Sequence, residues 1–179
     1  MPDAGAERPD IALSVIVPVY DQADSIVENV RVICERVGAG LDGGFEVIVV
    51  SDGSVDGTAE RMLASELPDV SVLYYDRNLG KGYAIKAGSL QARGRWIGYV
   101  DADLDLDPAG LPEFLTVAER DGLDFAIGSK RHPDSRVSYP SSRRVASWLF
   151  QKFVRLLIDL DVTDTQVGMK LFRREVAEQ

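Results

Sequence analysis

In the stretch YVDADLDLDP, residues 99–108, aspartate stands at positions 101, 103, 105 and 107, directly after an apolar run. Carboxylates this close repel one another, so the string needs a positive partner. Alternate residues of an extended segment point to one side about 7 Å apart. Asp101 and Asp103 can therefore converge on a cation, or one can hold it while the other takes a ligand hydroxyl. Carboxylate oxygens are the ligands of Mg2+ and Mn2+, which keep waters and a substrate phosphate in their other positions. An ion with so few protein ligands implies a phosphorylated molecule that completes its shell. Asp107, ahead of Pro108, reads instead as a cap for the helix that follows.

Other residue types narrow the chemistry. GKGYAIKAG (80–88) is glycine-rich; it is either a close backbone approach to an anion at a helix N-terminus or a tight strand-to-helix turn. It lacks the G-K-[ST] of a phosphate loop, and PVYDQADS after the first strand contains no glycine, which excludes a dinucleotide-binding G-x-G-x-x-G site. The single histidine, His132, reads as a loop residue and leaves little room for a Ser-His-Asp hydrolase. The single cysteine, Cys34, excludes an internal disulfide framework and any multi-cysteine metal site. Its place in a helical pattern predicts a small buried thiol.

These residues need a frame. Five apolar, β-branched runs recur at 11–20, 45–52, 70–76, 95–103 and 124–129, separated by helical patterns at 24–37, 56–66, 80–93 and 109–121. Near-continuous Val/Ile runs are what strands covered on both faces look like, and their alternation with helices predicts an α/β fold with a mostly parallel sheet flanked by helices. Asp56 or Thr58 is expected to cap the second helix. Ligands of open α/β sheets gather outside the carboxyl ends of the strands. The polar loops PVYDQAD, SDGSVDGT, DRNLGKG, DADLD and GSKR all fall at those ends, so five loops share one rim.

At 179 residues the chain has the size of one domain. The opening MPDAGAERPD predicts a disordered tail over 1–10, with one catalytic domain over 11–179. No signal-peptide core or membrane-length apolar run is present, so a cytoplasmic location is expected. The net charge of −9 is unevenly spread. Residues 129–155 carry seven Lys and Arg against Asp134, a net +6, which leaves −15 on the rest. So acidic a body excludes nucleic acid as a partner. The basic stretch fits an anionic ligand or an anionic membrane surface.

VIVPVYDQADSI, VIVVSDGSVDGTAE, NLGKGYAIKAG, DADLD and DTQVGMKLFRREV, in this order, resemble the family 2 glycosyltransferases of the Rossmann-like, nucleotide-sugar-binding glycosyltransferase A fold. The resemblance runs from about residue 12 to 176. It is strongest to the dolichyl-phosphate (polyprenyl-phosphate) glucosyl- and mannosyltransferases, and DTQVGMKLF is nearer the glucosyl branch.

The resemblance implies roles for single residues. Pro18, Tyr20 and Asp21 would line the nucleotide pocket, although DQ stands where the family often has Asn-Glu. Asp52 would receive the base, with Ser51 in place of a second aspartate. Arg77, Asn78 and Lys81 would approach base and ribose. Asp101 and Asp103 would hold Mg2+ or Mn2+ against the diphosphate of UDP-glucose or GDP-mannose, with Asp105 as a third ligand. Lys130, Arg143 and Ser147 would receive the phosphate of a polyprenyl acceptor, and Asp164, Gln166, Lys170 and Arg173 would close the site. The implied reaction is a single inverting displacement in which the ion and nearby cations offset charge on the leaving diphosphate. A polyprenyl phosphate is already ionised, so no general base is required.

The segment 143–160 spaces Arg143, Ser147, Gln151 and Arg155 every four residues beside an apolar face with Trp148. It is either a helix packed on the body or an interfacial helix at the cytoplasmic membrane face. Two rival functions remain at this point: a soluble transferase acting on a sugar or protein hydroxyl with Asp164 or Asp105 as base, and a non-catalytic nucleotide-sugar-binding module.

Overall fold

A computed structural model of the chain describes residues 11–128 and 169–177. The chain divides into two compact units, residues 1–126 with 168–179, and residues 127–167. The elements below belong to the first, apart from the last residue of β5.

Four apolar runs form parallel strands: β1 (Ile11–Val19), β2 (Gly44–Asp52), β3 (Val70–Tyr75) and β4 (Trp96–Val100). Between them lie α1 (Ile26–Ala39), α2 (Thr58–Ala64) and α3 (Lys81–Gln91), followed by α4 (Gly110–Asp121), β5 (Phe125–Ile127), β6 (Met169–Arg173) and the short α5 (Arg174–Ala177). The sheet order is β3-β2-β1-β4-β6-β5, and β6 runs antiparallel to β4. The α/β sheet is thus mostly parallel, as expected, with one strand that the apolar runs did not reveal.

Burial on both faces explains the continuous apolar strands. Ile16, Ile48, Val50, Ile97 and Tyr99 form a core cluster with Ala84 of α3. Gly88 lets α3 settle there, because a Cβ would come within 2.6 Å of the Ile16 side chain. Side chains alternate across a strand, so Gly98 faces the other way, where a Cβ would lie 2.9 Å from Leu111 of α4. Helices therefore cover both faces of the sheet.

Two details differ from the sequence reading. β4 ends at Val100, not 103, and the chain turns at Ala102–Asp103 with Leu104 in the left-handed region (φ 58°). The aspartate string is therefore a turn and not an extended segment, and the even 7 Å spacing does not hold for it. Cys34 is half-buried, and desolvation pushes its thiol up to about 11, so it stays protonated.

At the amino ends of the strands, Glu46 is buried and accepts hydrogen bonds from Ser14 Oγ (2.6 Å), Arg93 N (2.7 Å), and Arg93 Nε and Nη2 (2.9 and 2.7 Å). Burial alone would raise its carboxyl, but these bonds outweigh it and hold the group below its usual value. An open depression of about 380 Å³ lined by Ile11, Glu46, Asp69 and Arg93 lies at this end, away from the polar rim. Among the described residues no helix is long and apolar enough to cross a membrane.

Candidate active site

The strand order places a topological switch between β1 and β4, whose neighbours lie on opposite sides. The crevice outside their carboxyl ends is where open α/β sheets bind ligands. Tyr20 and Asp21 follow β1, and Asp101 follows β4. Pro18 is half-buried near the end of β1, and Tyr20 is exposed at the rim. The Asp21 carboxylate beside it pushes the Tyr20 phenol above its usual value.

Hydrogen bonds tie the loops of this rim into a continuous belt. Asp21 takes a left-handed conformation (φ 48°), and its Oδ1 accepts the Val55 N–H at 2.9 Å while its own N–H donates to Ser54 Oγ. Ser51, in the place of the expected second aspartate, donates from Oγ to Ser54 Oγ at 2.9 Å. Asp56 accepts the Ala23 N–H at 2.9 Å through Oδ2 and the Thr58 N–H at 3.0 Å through Oδ1. The Thr58 hydroxyl, which donates to Asp56 Oδ1 at 2.5 Å, followed by the Ala23 N–H, lowers its carboxyl. Thr58 Oγ1 in turn accepts the Gln22 N–H at 2.9 Å. Asp56 thus braces the entry to α2 and holds the first loop against the second. The N-cap position itself falls on Gly57 and not on the expected Asp56 or Thr58.

The second and third loops meet at Asp52. Its buried carboxylate accepts the Leu79 N–H at 2.8 Å and the Gly80 N–H at 2.9 Å. Gly53 (φ 69°) permits this contact, since a Cβ there would stand 2.3 Å from the Asn78 nitrogen. Both Asp52 oxygens are therefore occupied by backbone, and the Gly80 N–H is turned to Asp52 and not to an incoming anion. Arg77 and Asn78, just before, are exposed on the same loop. Burial, followed by the nearby Asp52 carboxylate, pushes the Tyr75 phenol well up.

The third and fourth loops meet where Lys81 Nζ pairs with Asp101. Asn29 of α1 closes the belt by donating to the Ala102 carbonyl at 2.8 Å. Beneath the pair lies Tyr99, with Lys81 Nζ 5.6 Å and Lys170 Nζ 5.7 Å from its ring centroid. Such distances suit cation–π attraction. Burial first, and the Asp101 charge second, raise the Tyr99 phenol to about 12, so it remains neutral.

Asp103 and Asp105 are exposed, and Asp103 Oδ1 accepts the Asp105 N–H at 3.1 Å. Asp107 accepts the Ala109 N–H at 3.1 Å and so braces the turn ahead of α4. The N-cap falls on Ala109, which has no side-chain cap bond, and the expected cap is corrected accordingly. Among the described residues no three His, Cys, Asp or Glu side chains gather to hold an ion. Asp101, Asp103 and Asp105 thus form no complete cage. The oxygen donors that do lie at the rim fit a hard divalent cation that keeps waters and phosphate oxygens.

Lys170 stands opposite Tyr99, at the rim, but Arg173 does not reach it. The antiparallel register sets Arg173 opposite Trp96, at the other end of β4. There its guanidinium lies 4.6 Å from the Trp96 ring and pairs with Asp124 at 2.9 Å. The expected part for Arg173 in closing the site is corrected accordingly. Lys130, His132, Arg143, Ser147, Asp164, Gln166 and the 143–160 segment lie outside the described residues. The sequence reading missed Asn29, Ser54, Tyr99 and the linking work of Asp56; only the repeated D-G spacing of SDGSVDGT hinted at the last.

The chain belongs to glycosyl transferase family 2, whose family model matches residues 14–179. This is a family of enzymes that transfer sugars. The chain is similar to Glycosyltransferase AglD of Haloferax volcanii, at 35% identity over 178 residues, covering 98% of this chain and 28% of that protein. It is similar to the dolichyl-phosphate beta-glucosyltransferase of Drosophila melanogaster, at 34% identity over 190 residues, covering 97% and 58% respectively. A mannosyltransferase from Pyrobaculum calidifontis, PcManGT, solved in complex with GDP-Man and Mn2+, shares the fold with a TM-score of 0.62 and 22% identity, over 96% of this chain and 48% of that one. The chain thus spans 28% and 58% of the lengths of the two relatives.

Proposed function

We propose that this domain transfers a hexose, glucose ahead of mannose, from a nucleotide sugar to a polyprenyl phosphate, with inversion at the anomeric carbon. The observation that carries the reading is the rim itself, where Asp101 pairs with Lys81 at the switch point, Lys170 stands over Tyr99 beside them, and exposed Asp103 lies on the same turn. The similarity to a dolichyl-phosphate glucosyltransferase supports the lipid acceptor and the glucose. GDP-Man and Mn2+ in PcManGT support a nucleotide-sugar donor and a divalent cation.

Asp101 and Asp103 would hold Mg2+ or Mn2+. The bound ion would supply positive charge opposite the negative charge that develops on the departing nucleoside diphosphate. Pro18, Tyr20 and Asp21 would form one wall of the nucleotide pocket, and exposed Arg77 and Asn78 would face base and ribose. Asp52 would keep that loop in place through Leu79 and Gly80. Lys170 would add positive charge on the diphosphate side, and so would Lys81, expected at base and ribose, because its ammonium lies on Asp101. Lys130, Arg143 and Ser147 would receive the acceptor phosphate, and Asp164 with Gln166 would close the site, as the family resemblance implies. An ionised phosphate is its own nucleophile, and the described rim offers no histidine base. The basic 129–155 stretch would set the domain against an anionic membrane surface on the cytoplasmic side.

Labelled UDP-glucose and GDP-mannose, incubated with polyprenyl phosphate and Mn2+, should yield label that partitions into organic solvent. Asp103→Ala should lower that transfer at least about 100-fold, the scale of losing a group that stabilises transition-state charge, with an unchanged circular dichroism spectrum. Full transfer by the variant would contradict the role of Asp103. Label found only in a water-soluble product would favour the soluble-acceptor reading.

A further inference from the structure

We infer that Lys81 is the built-in counter-ion of Asp101, and that it gives up this carboxylate when a divalent cation arrives and turns to the nucleotide diphosphate. The inference rests on the reading above that a divalent cation binds at Asp101.

The two groups stand in direct contact, Lys81 Nζ on Asp101 Oδ1, so one carboxylate oxygen needed by a cation is already covered by an ammonium. Their side chains are 50% and 32% exposed, and the pair is therefore open to water and separable. An exposed pair of this kind shifts an equilibrium by no more than about fivefold. An ammonium and a divalent cation on one carboxylate repel each other, so the entry of one weakens the other.

Lys81 is also hinged for such a move. It is the first residue of α3, and the Gly80 N–H before it is fixed to buried Asp52 at 2.9 Å. The backbone is held while the flexible side chain pivots. The Tyr99 ring offers a second station: its centroid is 5.6 Å from Nζ already, and the ring is buried and so kept in place. From there the ammonium borders the space beside Asp101 where a diphosphate would meet the ion. Lys81 would thus neutralise the acidic turn in the resting state and the leaving group in the loaded one.

The test measures Mn2+ binding to the chain by electron paramagnetic resonance, without nucleotide, for the wild type, Lys81→Met, Lys81→Gln and Lys86→Met. Lys86 lies on the same helix and is exposed, which makes it the control for net charge. Both Lys81 variants should bind Mn2+ about threefold tighter than the wild type, and Lys86→Met should match the wild type. In saturating Mn2+, whichever of UDP and GDP the wild type binds should bind the Lys81 variants more weakly. Lys81 variants no tighter for Mn2+ than the control, or with undiminished nucleotide affinity, would overturn the inference. A wild type that takes up no Mn2+ even with nucleotide would instead remove the metal reading on which it rests.

Discussion

Asp52 is buried at the end of β2, where a free carboxylate would be costly, and it is satisfied by two backbone N–H groups of the third loop. Its first work is therefore positional. Asp52→Asn keeps the shape but turns an amide N–H2 towards one of two donors. UDP and GDP should then bind more weakly by similar factors in calorimetry; a changed ratio between them would return Asp52 to direct reading of the base. Glu46 shows the same physics at the other end of the sheet. Its carboxyl is held below the usual value by Ser14 and Arg93, so it contributes stability above the unfolded-state pKa. That contribution is lost as pH falls through the lower folded-state value. Glu46→Gln should lose about 1–2 kcal/mol at pH 7. Its denaturation midpoint should also change less than that of the wild type between pH 5 and pH 3. An unchanged stability at pH 7 would contradict the role of this cluster.

Among the elements, the belt of loops depends on Gly53. A Cβ there meets the Asn78 nitrogen at 2.3 Å in a left-handed conformation, so Gly53→Ala should cost about 2–3 kcal/mol, strain and steric shift combined. Chemical denaturation checks this; a loss below 1 kcal/mol would mean that the two loops are not in contact. The strands were legible where burial on both faces wrote continuous apolar runs, as in VIVPV and VIVVS. β6 was not, because MKLFR alternates buried Met169 and Leu171 with half-buried Lys170, and that brief pattern follows no long apolar run. Its antiparallel direction separated Lys170 from Arg173, which a motif read in one dimension had kept together. The aspartate turn was hidden as well, since a leucine such as Leu104 rarely takes a positive φ. The residue types of the rim could be read from sequence, but not their bonds. Asp56 with Ala23 and Asp52 with Gly80 are 33 and 28 residues apart, and only the parallel sheet makes them neighbours.

Across the whole molecule, a chain of net charge −9 places two of its cationic side chains at the switch point, where the proposed ligands are anionic. Lys81 and Lys170 flank Tyr99 at the switch point, and seven further Lys and Arg crowd into 129–155. Membership of glycosyl transferase family 2 agrees with a rim built for a sugar donor. The proposed activity joins these charges to one requirement, that a nucleoside diphosphate and a divalent cation bind together across Asp101 and Asp103. Titration calorimetry of UDP and GDP in Mn2+ and in chelator tests that requirement most directly. One of the two nucleotides should bind at least about tenfold tighter with Mn2+, as expected when phosphate oxygens complete the ion's shell, and Asp103→Ala should remove the difference. Equal affinity with Mn2+ and with chelator, for both nucleotides, would contradict the account.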